Sequence, residues 1–377
     1  MTLRSLSTIA FLLSANAFAA PCPHRDSWPT SQWPRATAMP PMGKTAEVAA
    51  LEDYAFTLSG TDAAREGLRT NSLLIISGGK MIYERYARGF DATKRHVAWS
   101  VGKSFTNALT GVAVAQGVVG LSDSICTWVK ARPELCAATV QNLLEMSSGL
   151  AWQEGYENSS YQESSPISGL FGVGSRDIVG FALSHAMRYR PGEQFTYSTG
   201  EMSFLASLMN LAMTPKFGKD WPWSLLFTPL GMSDVVIQGD VKGGMHSGAL
   251  IFATPNDFAR FGFLYLNDGC WNSKRYLPEG WVTASTARPN AAYVNSVDSS
   301  DGEPPNGWAF WLNQPKRGET ERVWKDAPPD AYAARGHWGQ VIVVVPSRDV
   351  VIVRTGDDRK GRVDLNVLIP LALAVAP

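Results

Sequence analysis

The stretch that decides the fold reads SVGK, from Ser100 to Lys103, and it opens an apolar segment that continues to Gln116. Apolar side chains recur in this segment at helical spacing, and Gly117 follows them where a glycine commonly ends a helix. Residues three positions apart lie on one face of a helix, so the Lys103 amine can reach the Ser100 hydroxyl and take up its proton. The pattern predicts a nucleophilic serine at the start of a buried helix.

A second S-x-x-K pattern, from Ser77 to Lys80, has a different setting. It joins two strand-like runs, Leu73 to Ile76 and Met81 to Ala87, through a pair of glycines, which is typical of a hairpin turn. Ser100 has a structural interpretation as well, because serine is a common helix N-cap and a lysine in the next turn is often only solvated. The pattern alone leaves both interpretations of Ser100 open.

The chain begins with the features of an export signal. Arg4 precedes the apolar run from Ile9 to Leu13, and alanines at positions 17 and 19 fit a cleavage site. We therefore expect residues 1–19 to be a signal peptide and the mature protein to be secreted, in a bacterium to the periplasm, without a membrane anchor. A later apolar stretch, Val367 to Ala376, is too short to span a bilayer and contains Pro370, so it predicts a packed terminal helix.

The cysteines become informative in an oxidising compartment, where an even number of them can pair completely. Among the possible pairings we expect Cys126 with Cys136, across the compact RPE segment at 132–134, and Cys22 with Cys270. Ligation of zinc by these cysteines is disfavoured because no C-x-x-C spacing occurs. We predict a protein with no metal and no cofactor.

The charge balance limits the partners of the protein. The chain has 34 basic and 34 acidic residues, and no block of like charge stands out. This balance argues against a nucleic-acid partner and against an anionic membrane surface, and it favours a neutral or small polar ligand. The oligomeric state is not predicted.

Strand-like runs lie near both ends of the chain, and helical patterns dominate its middle. The strand-like runs cover residues 73–76, 81–87, 340–345 and 350–354, and the helical patterns cover residues 100–116, 140–146, 176–185, 201–213 and 255–266. The sequence predicts an α+β fold, with an antiparallel sheet built from both chain ends and flanked by helices. Residues 20–99 and 241–377 would form an α/β subdomain, residues 100–240 a mainly helical one, and a cleft between them a single catalytic unit.

Two further motifs fall where such a cleft would need them. The sequence FTYSTG places Tyr197 at a junction between a loop and a helix, where a nearby lysine would stabilise its phenolate and let the pair act as a base. The sequence GHWGQ, from Gly336 to Gln340, leads directly into a predicted strand, so that the Gln340 N–H can help bind an oxyanion. Taken singly, a tyrosine or a histidine in such a place is more often structural, and it is the order of the three motifs that favours a site.

In this order the three motifs resemble the signatures of the penicillin-recognising serine hydrolases. The chain is most similar to their class C β-lactamase-like branch, which includes esterases, D-amino-acid peptidases and 6-aminohexanoate-dimer hydrolases. Further segments look like recurrent parts of that branch: LLEMSSGL at 143–150, PLGM at 229–232 and ATPNDFARFG at 253–262. The resemblance extends from about residue 71 to the last strand, and it implies a β-lactamase/transpeptidase-like fold.

The resemblance also implies catalytic roles for individual residues. Ser100 would attack the substrate carbonyl, and Lys103 and Tyr197 would move its proton and donate to the leaving group. The backbone N–H groups of Ser100 and Gln340 would form the oxyanion hole.

Five residues are predicted to contact the substrate. His337, Trp338 and Gly339 occupy the place of the K-T-G motif. Tyr156 is a candidate for the further tyrosine that assists amide cleavage in the 6-aminohexanoate-dimer hydrolase-like group, and Trp152 suggests an apolar pocket.

The chain departs from the family pattern at two places that bear on the substrate. Thr199 replaces the asparagine of Y-x-N, and His337 replaces the lysine of K-T-G, beside a bulky Trp338. Because a histidine is mostly neutral at neutral pH, it binds the carboxylate of a penicillin less well than a lysine does. We therefore expect an exported serine hydrolase that cleaves a small ester or linear amide through an acyl-enzyme on Ser100. The alternatives are a true β-lactamase or D,D-peptidase that acts on a lactam or peptide, and a penicillin-binding sensor domain without turnover.

Overall fold

The computed structural model describes residues 21–61, 63–157, 159–160, 164–289 and 305–377. The predicted signal peptide, residues 1–19, lies outside the described residues. The helices are α1 (Thr45–Phe56), α2 (Val101–Ala115), α3 (Val140–Leu144), α4 (Ser165–Phe171), α5 (Ile178–Ser184), α6 (Thr199–Phe217), α7 (Pro255–Leu266), α8 (Trp281–Ser285) and α9 (Leu365–Val375). The strands are β1 (Thr70–Ser77), β2 (Lys80–Tyr86), β3 (His96–Val97), β4 (Val236–Ile237), β5 (Ile251–Ala253), β6 (Cys270–Trp271), β7 (Lys274–Arg275), β8 (Trp311–Leu312), β9 (Tyr332–Gly336), β10 (Gln340–Val345) and β11 (Val350–Gly356).

The central sheet has six strands in the order β2-β1-β11-β10-β9-β8, and each neighbouring pair is antiparallel. Its strands come from both ends of the chain, as predicted, and most of the helices lie between them in sequence. The α+β class is therefore confirmed. The boundaries proposed for the two subdomains stay a prediction.

The second S-x-x-K segment forms the hairpin turn between β1 and β2. Ser77 and Lys80 are register partners at the ends of these strands, and Gly78 and Gly79 between them have φ angles of 57° and 75°. Such left-handed angles at both central residues are typical of the tight hairpin turn that glycine permits. This serine and lysine are turn residues, as the sequence indicated.

The two faces of the sheet bury alternate residues of β10 in two cores. Val341 and Val343 pack with α1 and α9, whereas Ile342 and Val344 pack in the larger core that also holds α2, α6 and α7. A strand with both faces covered needs no polar alternation, which explains the unbroken valine and isoleucine run. Within the larger core, every residue of α2 from Val101 to Ala113 is buried.

A short sheet in the order β3-β5-β4 guides the chain into α2. The backbone N–H of Ala98, which follows β3, donates to the carbonyl of Ile251 at 2.6 Å. This contact fixes the chain two residues before Ser100, so the start of α2 is held beside β5.

Both predicted disulfides are present. Cys126 bonds to Cys136 within one loop, and Cys22 bonds to Cys270 in β6, which ties the N-terminal segment to the main body. Among the described residues, the structure has no helix that is both long enough and apolar enough to cross a membrane.

Candidate active site

Ser100 lies immediately before α2, and its side chain faces the lysine of the same turn. The Lys103 Nζ lies 2.8 Å from the Ser100 Oγ, and the Ser100 side chain makes no capping hydrogen bond to the helix. The Ser100 side chain therefore does not act as an N-cap, and its hydroxyl lies within reach of the lysine amine. The preceding residue, Trp99, has a φ of 48°, a conformation that is uncommon for a bulky side chain and that often occurs at functional sites.

Lys103 is almost completely buried, with 1% of its surface exposed. Burial lowers the pKa of its amine to about 8, and the negative charge of Glu154 opposes this effect. The Nζ also donates to the Thr199 hydroxyl at 2.8 Å and to the Gly248 carbonyl at 3.1 Å. The amine is therefore held on three sides, with Ser100 as one of its partners.

Tyr197 lies beside this amine. The Lys103 Nζ is 4.6 Å from the centre of the Tyr197 ring, which in turn stacks on Trp311 with their ring centres 5.4 Å apart. The three predicted catalytic residues are thus brought together by the start of α2 and the segment that leads into α6.

Glu154 is a functional candidate that the sequence did not reveal. Its Oε1 accepts hydrogen bonds from the hydroxyls of Thr199 and Tyr156, both at 2.5 Å. Its Oε2 accepts from the Trp152 indole N–H at 2.6 Å and from the Thr199 backbone N–H at 3.0 Å. The carboxylate therefore joins the residues around Lys103 into one hydrogen-bonded network.

Trp152 does not line the cleft, contrary to the prediction. It is 1% exposed, packs against Phe181 and His185, and directs its indole N–H to Glu154. A side chain enclosed in this way cannot form the wall of an open substrate pocket. Its role in the structure is to support Glu154.

Tyr156, by contrast, belongs to the hydrogen-bonded network around Lys103. Its hydroxyl donates to the Glu154 Oε1 at 2.5 Å, the atom that also accepts from the Thr199 hydroxyl. Burial and the charge of Glu154 raise its pKa well above the usual 10, so the phenol remains protonated in the neutral range. Its ring stacks on His337 with the ring centres 4.7 Å apart.

The His-Trp-Gly motif forms a turn at the mouth of the site. His337 Nε2 and the Trp338 indole N–H both contact the Glu157 Oε1, at 2.7 and 2.8 Å. Hydrogen bonds and charge from this turn lower the pKa of Glu157 although its partial burial acts to raise it. A guanidinium, that of Arg359, lies 3.8 Å from the centre of the Trp338 ring. The motif thus combines aromatic rings with a carboxylate that is 56% exposed.

Gly339 packs away from this mouth. A Cβ at this position would lie 2.3 Å from Asp358 Oδ2 and 2.2 Å from Arg354 Nη1, which form a buried ion pair. The Arg354 Nη1 also donates to the Gly339 carbonyl at 2.8 Å. Packing therefore explains the glycine, and its predicted contact with substrate stays a prediction.

Gln340 begins β10 and is the register partner of Gly336 in β9. Its side-chain amide donates to the Gly356 carbonyl and so ties β10 to β11. Gly336 packs closely against the chain that leads into α2, since a Cβ on it would lie 3.3 Å from the Ser100 backbone N and 2.3 Å from the Ala98 carbonyl oxygen. The role of the Gln340 N–H in the oxyanion hole stays a prediction.

Residues 60–375 match the family model described as Beta-lactamase. The chain belongs to the Beta-lactamase family. Among its relatives, the 6-aminohexanoate-dimer hydrolase of Paenarthrobacter ureafaciens is 22% identical over 322 residues, which cover 81% of this chain and 77% of that protein.

Solved structures of the family confirm the fold. A proposed 6-aminohexanoate-dimer hydrolase from Bacillus anthracis has a TM-score of 0.67 at 19% identity, covering 95% of this chain and 89% of that one. A class C β-lactamase in complex with cefoxitin has a TM-score of 0.61 at 14% identity, covering 89% of this chain and 99% of that one. The predicted resemblance to this family, and with it the β-lactamase/transpeptidase-like fold, is confirmed.

Within this member of the Beta-lactamase family, the signal for Glu154 was present but not specific. The segment WQEGY, from Trp152 to Tyr156, places a carboxylate between two aromatic residues in a loop without periodicity. Only the tertiary structure brings Thr199 to it from the start of α6. Trp152 and Tyr156 were predicted from the sequence as site residues, whereas Glu154, which accepts a hydrogen bond from each of them, was missed.

Proposed function

We propose that this protein is an exported serine hydrolase that cleaves a small ester or linear amide through an acyl-enzyme on Ser100. The observation that carries the proposal is the 2.8 Å contact between the buried amine of Lys103 and the Ser100 Oγ. Because burial lowers the pKa of that amine to about 8, part of it is neutral near neutral pH and can accept a proton. One helical turn thus supplies both a nucleophile and its base.

In the acylation step, the Ser100 Oγ forms a bond to the substrate carbonyl carbon while Lys103 Nζ takes the hydroxyl proton. The oxyanion that forms is stabilised by backbone N–H groups, among them that of Ser100 at the start of α2. The bond to the leaving group then breaks, and the leaving oxygen or nitrogen takes a proton from the Lys103 and Tyr197 pair. Water next attacks the acyl ester by the same route, which releases the acid and restores Ser100.

The charges at the mouth support an ester or linear amide rather than a carboxylate-bearing lactam. At the K-T-G position, His337 donates or accepts at Glu157, whose carboxylate is more than half exposed. The guanidinium over the Trp338 ring, that of Arg359, is bonded to Asp357 at 3.0 Å, and that of Arg354 is paired with Asp358. A substrate carboxylate would therefore meet an acidic group where a typical penicillin-recognising site presents a lysine.

Export is supported by the signal-like residues 1–19 and by the two disulfides, which form and persist in oxidising compartments. We place the mature protein in the periplasm or outside the cell.

The proposal is tested with a short p-nitrophenyl ester and a chromogenic cephalosporin, assayed in parallel with intact-mass analysis. We expect turnover of the ester that is abolished in Ser100→Ala. The second S-x-x-K motif offers a matched control, because Ser77→Ala changes a serine of the same pattern in a hairpin turn and should retain the activity.

Each outcome assigns a class. Rapid cephalosporin turnover that exceeds ester turnover would favour the β-lactamase or D,D-peptidase alternative. A stable Ser100 adduct without turnover would favour the penicillin-binding sensor alternative. Ester hydrolysis that survives in Ser100→Ala would contradict the assignment of the nucleophile.

A further inference from the structure

The hydrogen atoms around Lys103 can be assigned from the chemistry of its three partners. The Gly248 carbonyl oxygen, 3.1 Å from Lys103 Nζ, can only accept a hydrogen bond. The Thr199 hydroxyl could in principle either donate or accept. Its proton, however, is directed to the Glu154 Oε1, 2.5 Å away, because a carboxylate oxygen is an acceptor. Toward Lys103, Thr199 is therefore an acceptor as well.

This assignment fixes the direction of the lysine lone pair. A neutral amine has two N–H bonds and one lone pair. If the two N–H bonds serve Thr199 and Gly248, the lone pair faces the remaining partner, the Ser100 Oγ at 2.8 Å. That is the orientation in which Lys103 accepts the hydroxyl proton.

We propose that Glu154 is a positioning residue, which holds the Thr199 hydroxyl as an acceptor and thereby directs the Lys103 lone pair at Ser100. This inference rests on the proposed function and names a residue on which that chemistry depends. Without the carboxylate, the Thr199 hydroxyl is free to donate to the amine, and its proton then occupies the lone pair that Ser100 needs.

The same carboxylate also sets the polarity of Tyr156. Because the Tyr156 hydroxyl donates its one proton to Glu154, its oxygen can only accept from any other neighbour. The Thr199 and Tyr156 hydroxyls and the Trp152 indole N–H all donate to Glu154. A glutamine in place of Glu154 cannot accept all of these hydrogen bonds in the same geometry, since its amide has only one acceptor oxygen.

The test is the rate at which Ser100 reacts with an alkyl fluorophosphonate, measured by intact mass between pH 5.5 and 10. In this reaction the Ser100 Oγ bonds to phosphorus, fluoride leaves, and Lys103 takes the proton. The readout depends on activation of the nucleophile and needs no knowledge of the natural substrate.

In Glu154→Gln we expect two separate changes. The plateau rate at high pH should fall at least tenfold, because the lone pair of the neutral amine is no longer directed at Ser100. The midpoint of the pH profile should move down by about one unit, since an opposite charge a few ångströms away raises the pKa of an amine and Glu154 is only half-buried. A purely structural role would lower the fraction of reactive protein and leave the midpoint in place.

Variants of a neighbouring residue and of an exposed control position complete the test. Thr199→Val should lower the plateau at least tenfold, whereas Thr199→Ser, which keeps the hydroxyl, should stay within about threefold of the parent protein. Glu319→Gln removes an exposed carboxylate that forms no part of the site and should leave the midpoint unchanged.

An unchanged plateau or an unmoved midpoint in Glu154→Gln would overturn the inference, as would equal rates for Thr199→Val and Thr199→Ser. A parent protein that is labelled at Ser100 but does not hydrolyse esters would contradict the proposed function alone. Failure of the parent protein to be labelled at any pH would contradict both, because no activated serine would then exist.

Discussion

Replacing Glu201 by glutamine should remove a large part of the pH dependence of stability. Glu201 lies in the first turn of α6, is 1% exposed, and accepts a hydrogen bond from the Ser148 backbone N–H at 3.1 Å. Its other oxygen, Oε1, is buried without a hydrogen-bond partner. Burial raises the pKa of this carboxyl from 4.5 to about 8, although hydrogen bonds from Ser148 act in the opposite direction.

The sign follows from the protons that each state binds. Below pH 4.5 the carboxyl is protonated in both the folded and the unfolded protein, so it adds no pH dependence. Between that pH and about 8 the unfolded chain releases the proton while the folded protein keeps it, and the free energy of unfolding falls as the pH rises. A shift of this size corresponds to a loss of about 5 kcal/mol, which is complete above the folded-state pKa.

The measurement is urea unfolding, followed by tryptophan fluorescence at pH 5, 7 and 9, for the parent protein and for Glu201→Gln. The amide does not titrate, so its stability relative to the parent should rise with pH by several kcal/mol across this range. The exposed Glu319→Gln is a control for the loss of a carboxyl and should show no such trend. A relative change below about 1 kcal/mol between pH 5 and 9 would refute the reasoning, because one pKa unit already corresponds to that amount.

Three further predictions concern the mouth, the nucleophile and the N-terminal segment. His337→Lys alone should not improve hydrolysis of a chromogenic cephalosporin, because the new ammonium would pair with Glu157. Combined with Glu157→Gln, the same change should raise kcat/KM for the cephalosporin about tenfold. An equal gain in the single variant would contradict this account. Gly336→Ala places a methyl group 2.3 Å from the Ala98 carbonyl oxygen and should displace the chain before Ser100, so fluorophosphonate labelling of Ser100 should slow at least tenfold. Circular dichroism checks that the fold of this variant remains. Replacing both Cys22 and Cys270 by serine removes a link between residues 248 positions apart, and loss of the loop-closure entropy should lower the free energy of unfolding by about 5 kcal/mol. The corresponding loss for Cys126 and Cys136, which are 10 positions apart, should be about 3 kcal/mol. Equal losses in urea unfolding would refute this argument from loop length.

The elements that the sequence predicted well are those whose own residues determine them. The segment of α2 combines helical spacing with a terminal glycine, and β10 is a run of β-branched side chains that ends at a turn with proline. By contrast β9, which reads YAARG from Tyr332 to Gly336, has no such composition. It is a strand because β10 on one side and β8 on the other pair with its backbone, and that pairing is not visible in the local sequence.

The same distinction applies within the site. Ser100 and Lys103 share one helical turn, so their contact follows from spacing alone. The contact between Lys103 and Thr199 joins residues 96 positions apart, and that between Thr199 and Glu154 joins residues 45 positions apart. Such contacts depend on how α2, α6 and the loop that carries Glu154 pack, and a family pattern predicts them only where the chain keeps the residues of the pattern.

The two departures from the family pattern each come with a carboxylate that contacts the changed residue. Thr199, in place of the asparagine of Y-x-N, binds Lys103 and is itself held by Glu154. His337, in place of the lysine of K-T-G, contacts Glu157. A threonine hydroxyl can rotate, so it needs a fixed acceptor before it can hold a lysine in one orientation, and Glu154 supplies that acceptor. Exchanging Thr199 for asparagine alone should therefore not recover a β-lactamase-like site, because Glu154 would hold the new amide in place of the hydroxyl, and His337 with Glu157 would still occupy the K-T-G position.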